Sequence, residues 1–389
     1  MKSTAFIRTI IILTVAVCSG CSRTGTQTDE LITVDITANY PEKTLILQDF
    51  MDVEYIPLET TDEFLCRGDI LTVGKDLITV VDRRGDGTIF LFNRNGKALR
   101  KINRKGQGGE EYIHPLNVTL DENNGELFVN DMYGQKIKVY DLNGNYIRSF
   151  PHKENLRYIE IFNFDRDNLI CHDAVNDYSV IPDSYAGQSF MLVSKQDGSI
   201  TKEIQIPFKD KKTIVTRVKD EASGRTQSYT PSNFYATFPY SDQFVLVEVS
   251  ADTLYSYSPD HIMKPIIVRT PPVESMNPDG FLFLNMLTDR FYFMETFIKG
   301  NKFPADLVYD KQEKKLSTYK VYNSDFTDQE RVFMKSGPLN SQIASWQILD
   351  AVWLVEKYQK GELKGRLKEI AAKLDEESNP VIMLIKHKK

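Results

Sequence analysis

Two stretches of this chain are copies of one another. Residues 77–82 (LITVVD), 89–93 (IFLFN), a turn at Gly96 and 98–102 (ALRKI) align with 127–131 (LFVND), 137–141 (IKVYD), Gly144 and 146–150 (YIRSF). Asp131 follows Asp82 by 49 residues and Gly144 follows Gly96 by 48, a period that belongs to propellers and solenoids. Each copy supplies an apolar strand, a turn, a strand closing on Asp or Asn, a glycine hairpin turn and an outer strand. With the strand before it, that is one four-stranded blade. A blade cannot bury both of its faces alone, so it must stack between neighbours around an axis.

Weaker copies follow. Residues 169–173 and 190–204 repeat the scheme with an insertion, 174–188, between the second and third strands. Residues 244–248, 253–257 and 262–268 make a fourth unit, preceded by a polar stretch at 209–232, and 290–295, 305–310 and 315–322 make a fifth. Six blades fit the length, the last shared between 53–58 near the start and 380–385 near the end, because a strand from one terminus that completes the other's blade leaves no loose seam. Ile348, Val352 and Val355, then Leu363, Leu367, Ile370 and Leu374, fall at helical spacing and predict two amphipathic helices. The predicted fold is all-β: a six-bladed β-propeller over 41–389, with a helical segment at about 343–377 inserted before a closing strand at about 380–386.

The first twenty residues carry Lys2 and Arg8, an apolar run from Ile10 to Val17 and then small residues, the pattern of a secretory signal peptide. Cys18-Ser19-Gly20-Cys21 resembles a bacterial lipobox, with Cys18 where Leu is usual, and marks Cys21 as the lipidated residue. Residues 21–40 are expected to be the anchor cysteine and a flexible tether, polar at 22–30 and with little to bury. Ser22, in place of Asp, favours the outer membrane, with the protein facing periplasm or cell surface and touching the membrane through its lipid alone. A net charge of −6 opposes a nucleic-acid partner.

The segment 106–112 (GQGGEEY), Pro115, 116–120, 125–131, 136–141 and Gly144 resemble an NHL-type propeller repeat. With the lipobox, YIPLE at 55–59 and SNPV at 378–381, the whole chain is similar to the six-bladed propeller lipoproteins of gut-type Gram-negative bacteria. That resemblance implies architecture and no particular activity.

No CxxC, HExxH or GxSxG pattern is present, and no catalytic residue is assigned. Cys66 and Cys171 either pair or stay as buried thiols. The loop 104–112 is glycine-rich, but it lacks the Gly-Lys-Ser/Thr ending of a phosphate loop and reads as a connection between blades. Asp82, Asp131 and Asp173 close equivalent strands, which argues for a shared structural task such as accepting N–H groups of the following turn. His114 and His172, with Tyr133, Arg83 and Arg84, are placed at one mouth of the propeller. His114, Asp131, Tyr133, His172, Asp173 and Arg83 are thus the candidate ligand-binding residues. Phe281, Phe283, Phe291, Tyr292, Phe293 and Phe297 read as blade packing, and the long loops 174–188 and 209–232 as partner surfaces. The function expected is a binding or scaffold module for a glycan, peptide or envelope protein, with no cofactor. The alternative is a calcium- or zinc-dependent propeller hydrolase or lyase acting on a small lactone, ester or uronate.

Overall fold

The computed structural model describes residues 31–131, 133–174, 177, 187–219, 224–230, 234–300, 304–335 and 337–388. The chain opens with β1 (Ile32–Asp35), β2 (Glu42–Ile46), a one-turn helix α1 (Leu47–Phe50) and β3 (Met51–Pro57). Blade I follows as β4 (Ile70–Val73), β5 (Leu77–Val81), β6 (Ile89–Asn93) and β7 (Ala98–Ile102). Blade II is β8 (Pro115–Asp121), β9 (Glu126–Asp131), β10 (Lys136–Asp141) and β11 (Tyr146–Pro151). Blade III is β12 (Tyr158–Asn163), β13 (Asn168–Asp173), β14 (Phe190–Ser194) and β15 (Ile200–Ile204). A hairpin of β16 (Thr216–Lys219) and β17 (Thr226–Tyr229) falls within the polar stretch before blade IV.

Blade IV comprises β18 (Thr237–Tyr240), β19 (Gln243–Leu246), β20 (Thr253–Tyr257) and β21 (Met263–Thr270). Blade V comprises β22 (Gly280–Leu287), β23 (Phe291–Ile298), β24 (Ala305–Asp310) and β25 (Lys315–Tyr322), with a short β26 (Arg331–Val332) at its outer edge. Blade VI joins β27 (Ile343–Leu349) to β28 (Val381–His387), with α2 (Ala351–Gln359) and α3 (Gly365–Ala371) between them. The order β27-β28-β3 confirms the shared blade, with Ile56 opposite Ile382. The architecture is a six-bladed β-propeller.

The middle strands read as continuous apolar runs because each feeds two cores. Phe90 and Phe92 of β6 pack with Ile382 and Leu384 of blade VI, while Ile89 and Leu91 pack with Leu127 and Val129 of blade II. Phe128 turns the other way, onto Ile161 and Cys171 of blade III. A strand has two faces at a period of two, so stacking on both sides makes every position apolar. Phe281, Phe283, Phe291, Tyr292 and Phe293 are buried in the same manner. Cys66 and Cys171 are buried free thiols, and burial pushes the Cys66 thiol up to about 12.

Inner strands of adjacent blades share no backbone ladder, so polar side chains cross the gap. Thr72 Oγ1 donates to Val118 O at 2.5 Å, Thr119 Oγ1 to Ile161 O at 2.7 Å, and Asn117 Nδ2 to Ile159 O at 3.0 Å. Asn340 Nδ2 donates to Val73 O at 2.7 Å between blades VI and I. The Thr and Asn residues of these strands satisfy carbonyls that a sheet would otherwise satisfy.

Two expectations are corrected. Residues 31–40 are not tether: β1 runs parallel to β21, with Ile32 opposite Ile267, and Val34 is fully buried. β2 likewise runs parallel to β25, and Lys43 reaches Asp310 of blade V at 2.8 Å. Ile32, Val34 and Ile36 alternate with polar residues, and the exposed outer edges of blades IV and V offer unpaired backbone groups to such a segment. Second, residues 343–349 of the expected helical segment are the strand β27. The buried face of α2 is Ala351 and Leu354, with Val352 exposed. Asp350 caps that helix, its side chain accepting from Trp353 N. Residues 1–30, including the expected signal peptide and Cys21, lie outside the described residues.

Candidate functional site

In an antiparallel four-stranded blade the start of the first strand, the second turn and the end of the fourth strand share one end. That end is called the upper face here. A cavity of about 2250 Å³ runs along the axis, lined from blades I, II, III, IV and VI. Upper-face residues at its wall include Arg83, Gln135, His152, Arg157 and Tyr235, and the segment around Gly337 takes the place of a regular inner strand in blade VI. A Cβ at Gly337 would fall 2.7 Å from the Tyr235 ring, so a small residue is required beside this tyrosine. Lower down, Asn117, Asn163, Phe162, Phe164 and Trp346 line the wall.

The carboxylates of this wall are largely occupied by the protein itself. Glu160 accepts from Ala236 N at 2.8 Å and Thr237 N at 2.9 Å. Glu122 accepts from the backbone N–H groups of Lys75, Asp76 and Leu77. Asp69 pairs with Arg84, and Asp121 pairs with Lys195 at 2.7 Å. By contrast, no side-chain hydrogen bond or ion pair engages the guanidinium groups of Arg83 and Arg157 among the described residues. His152 is buried with Nε2 2.9 Å from Asn130 Oδ1, which makes Nε2 the donor and leaves Nδ1 as a buried acceptor without a partner. Burial pulls its imidazole down to about 4, so it is neutral at physiological pH.

The structure brings together four of the six candidates named from sequence. Asp131 accepts from Ile113 N and His114 N, each at 3.0 Å, which fixes the loop leading into β8. The His114 ring lies 5.3 Å from the ring of Tyr133, an exposed aromatic at 66% accessibility. Burial and the nearby Arg83 charge hold His114 below its ordinary value. Asp131 and Asp173 do serve a structural task, but in a different loop from the one expected, and Asp82 Oδ1 is buried without a hydrogen-bond partner. Asp131 and Asp173 reach back to the segment before the inner strand of their own blade, Asp173 accepting from Arg157 N at 2.7 Å. Asp82 sits under Gly85 as Asp131 sits under Gly134, at positions where a Cβ would strike the carboxylate.

His172 and Asp173 stand apart from that group, buried in blade III. His172 Nε2 is 3.0 Å from Asp177 Oδ2, and its Nδ1 is 3.4 Å from Glu160 Oε1 without hydrogen-bond alignment. Lys211 Nζ stands 2.7 Å from both Glu248 oxygens and from Ser189 Oγ, and 3.5 Å from Asp177. Burial opposes the imidazolium, but the two carboxylates outweigh it and raise His172 to about 10. Burial likewise opposes the charge on Asp177, and Lys211 and His172 overcome it, lowering its carboxyl. This network ties the insertion after β13 and the segment before β16 to blades III and IV. Most of the insertion itself lies outside the described residues.

Sequence reasoning missed His152, Arg157, Tyr235 and Lys211, which sit in loops that the repeat alignment does not cover. The glycine loop 104–112 holds its own anion, since Glu111 accepts from Gly108 N at 2.9 Å. Among the described residues no three His, Cys, Asp or Glu side chains stand where they could share a metal ion, and no helix is long and apolar enough to cross a membrane.

A protein of Bacteroides fragilis described as exported superposes with a TM-score of 0.61 at 14% identity, over 92% of this chain and 99% of that one. A member of the DUF4221 family from Bacteroides vulgatus superposes with a TM-score of 0.46 at 10% identity, over 87% and 98%. The first of these likenesses supports the fold alone. No curated protein matches the sequence. The model of the family described as Domain of unknown function (DUF4934) matches residues 31–386, the propeller from β1 into β28, and the chain belongs to that family.

Proposed function

We propose that the protein is a glycan-binding module of the outer membrane, held there by a lipid on Cys21 and receiving its ligand in the axial cavity. The observation that carries this reading is the character of that cavity. Its volume of about 2250 Å³ exceeds the roughly 300–1,000 Å³ that suits a single small molecule. Amide side chains (Gln135, Asn155, Asn163) and aromatic rings (Phe162, Phe164, Trp346) line it together. Amides satisfy hydroxyl groups and rings cover sugar faces, so the combination suits an oligosaccharide.

The test is a panel of envelope polysaccharide, peptidoglycan and peptide fragments, titrated calorimetrically against the protein and against Leu116→Trp, which places an indole in the cavity. A saccharide fragment whose affinity falls roughly tenfold or more in the variant supports the reading, and a peptide that behaves so replaces it. Binding that ignores the substitution, or a panel with no ligand, sinks it. For the anchor, metabolic labelling with palmitate should mark the natural protein and not Cys21→Ser; label on both, or on neither, removes the lipid from the proposal.

A further inference from the structure

The geometry points to a carboxylate-bearing saccharide as the ligand at the upper mouth of the cavity, with Arg83 and Arg157 receiving the carboxylate and Tyr133 beside His114 receiving a sugar face. The inference rests on the binding reading above and narrows its ligand class.

Charge accounting comes first. Of the acidic residues of the wall, Glu160, Glu122, Asp69 and Asp121 are held by backbone N–H groups or by their own cations, while Glu154 and Asp242 are not. The two guanidinium groups make no side-chain hydrogen bond or ion pair among the described residues, although the Arg83 charge helps to lower Asp69, and they come from separate blades, Arg83 after β5 and Arg157 before β12. Both line the cavity. A planar fork left open in this way matches a carboxylate in two parallel hydrogen bonds.

A second, independent feature is the aromatic pair. Tyr133 is exposed at the turn after β9, and His114 lies 5.3 Å from its ring. Gln135, two residues after Tyr133, lines the cavity, and the pair itself lies outside the lining on the same upper face. An exposed, supported ring on that face presents a flat apolar surface of the size of a pyranose.

The probes are α-1,4-linked tri-galacturonate, its full methyl ester and tri-aspartate, titrated calorimetrically at neutral pH. The expected result is binding of the acid, with the ester weaker by roughly tenfold or more. Arg83→Gln with Arg157→Gln should abolish that difference, and Tyr133→Ala should weaken acid and ester alike. Equal binding of acid and ester, indifferent to both arginines, overturns the inference and leaves the glycan-binding reading standing. Preference for tri-aspartate overturns the saccharide assignment. Binding of none of the three also overturns it, and the broader reading is then decided by the fragment panel with Leu116→Trp.

Discussion

The side-chain oxygen of Asn379 accepts a hydrogen bond from the backbone N–H of Cys66 at 2.9 Å, across 313 residues of chain. Its amide nitrogen donates to the carbonyls of Glu59 at 2.8 Å and Phe64 at 2.6 Å, and its own N–H donates to Thr60 Oγ1 at 2.8 Å. One buried side chain therefore binds the loop after β3 to the turn before β28, on the seam where the two ends of the chain close the ring. Replacing Asn379 with Ala leaves a donor and two acceptors without partners. The expected cost is about 2–4 kcal/mol, read from denaturant unfolding. A change below about 0.5 kcal/mol would show that water replaces the amide and that the seam does not depend on it.

Gly96 guards the same seam from the other side. It adopts φ +80°, and a Cβ there would stand 2.1 Å from the carbonyl oxygen of Pro57, the last residue of β3. Glu59 N donates to Gly96 O at 2.8 Å, so neither backbone can withdraw without losing that bond. Gly96→Ala should destabilise the protein by at least about 1–3 kcal/mol, from positive φ and the backbone clash together. Gly109→Ala is the control, because nothing lies within 4 Å of its added Cβ. Equal melting temperatures for the two variants would refute the account.

The seam was legible in the sequence and the N-terminal strap was not, for a physical reason. Residues 380–385 are a continuous apolar run because they are buried on both faces between blades VI, I and V, and 53–58 are apolar but for Glu54, with Tyr55 and Ile56 feeding the two cores. β1 and β2 bury only alternate residues against an outer edge, and between them stand turns and charges, which from sequence look like the end of a tether. The candidate site divides in the same way. Arg83, Asp131 and Tyr133 lie in turns that the two clear repeats align, and His114 in the loop that Asp131 fixes. Arg157 and His152 sit in the loop leading into blade III, where the copies diverge. Lys211 and Asp177 meet His172 only because two long connections fold onto blades III and IV, a juxtaposition that no local pattern encodes.

His172 sets the alkaline side of stability. Its folded value of about 10 lies above the ordinary 6.5, so its stabilisation is complete below about pH 6.5 and is lost as pH rises towards 10. Lys211, also raised by Asp177 and Glu248, adds to the loss only at still higher pH. Between about pH 7 and 9.5 the natural protein should lose on the order of 1–2 kcal/mol more than His172→Gln does, measured as the difference in unfolding free energy. Parallel pH profiles for the two proteins would mean that the imidazole is neutral in the folded state.

His152 sets the opposite limb. Burial holds its imidazole at about 4 in the fold against an ordinary 6.5, and Asp131 only partly counters this. Its contribution is therefore present above about pH 6.5 and is lost as pH falls through 4, because the unfolded chain takes the proton first. The span of about 2.5 units between those values corresponds to an upper bound of about 3 kcal/mol. His152→Gln keeps a donor for Asn130 Oδ1 but no longer titrates. Its unfolding free energy should fall less steeply than that of the natural protein between about pH 6.5 and 4.5, while the slopes at alkaline pH stay equal. A double variant with His172→Gln should flatten both limbs additively, since the two groups act in separate pH windows. Coupling between the limbs would mean that Glu160, which faces His172 and lines the cavity with His152, transmits charge between the buried network and the cavity wall.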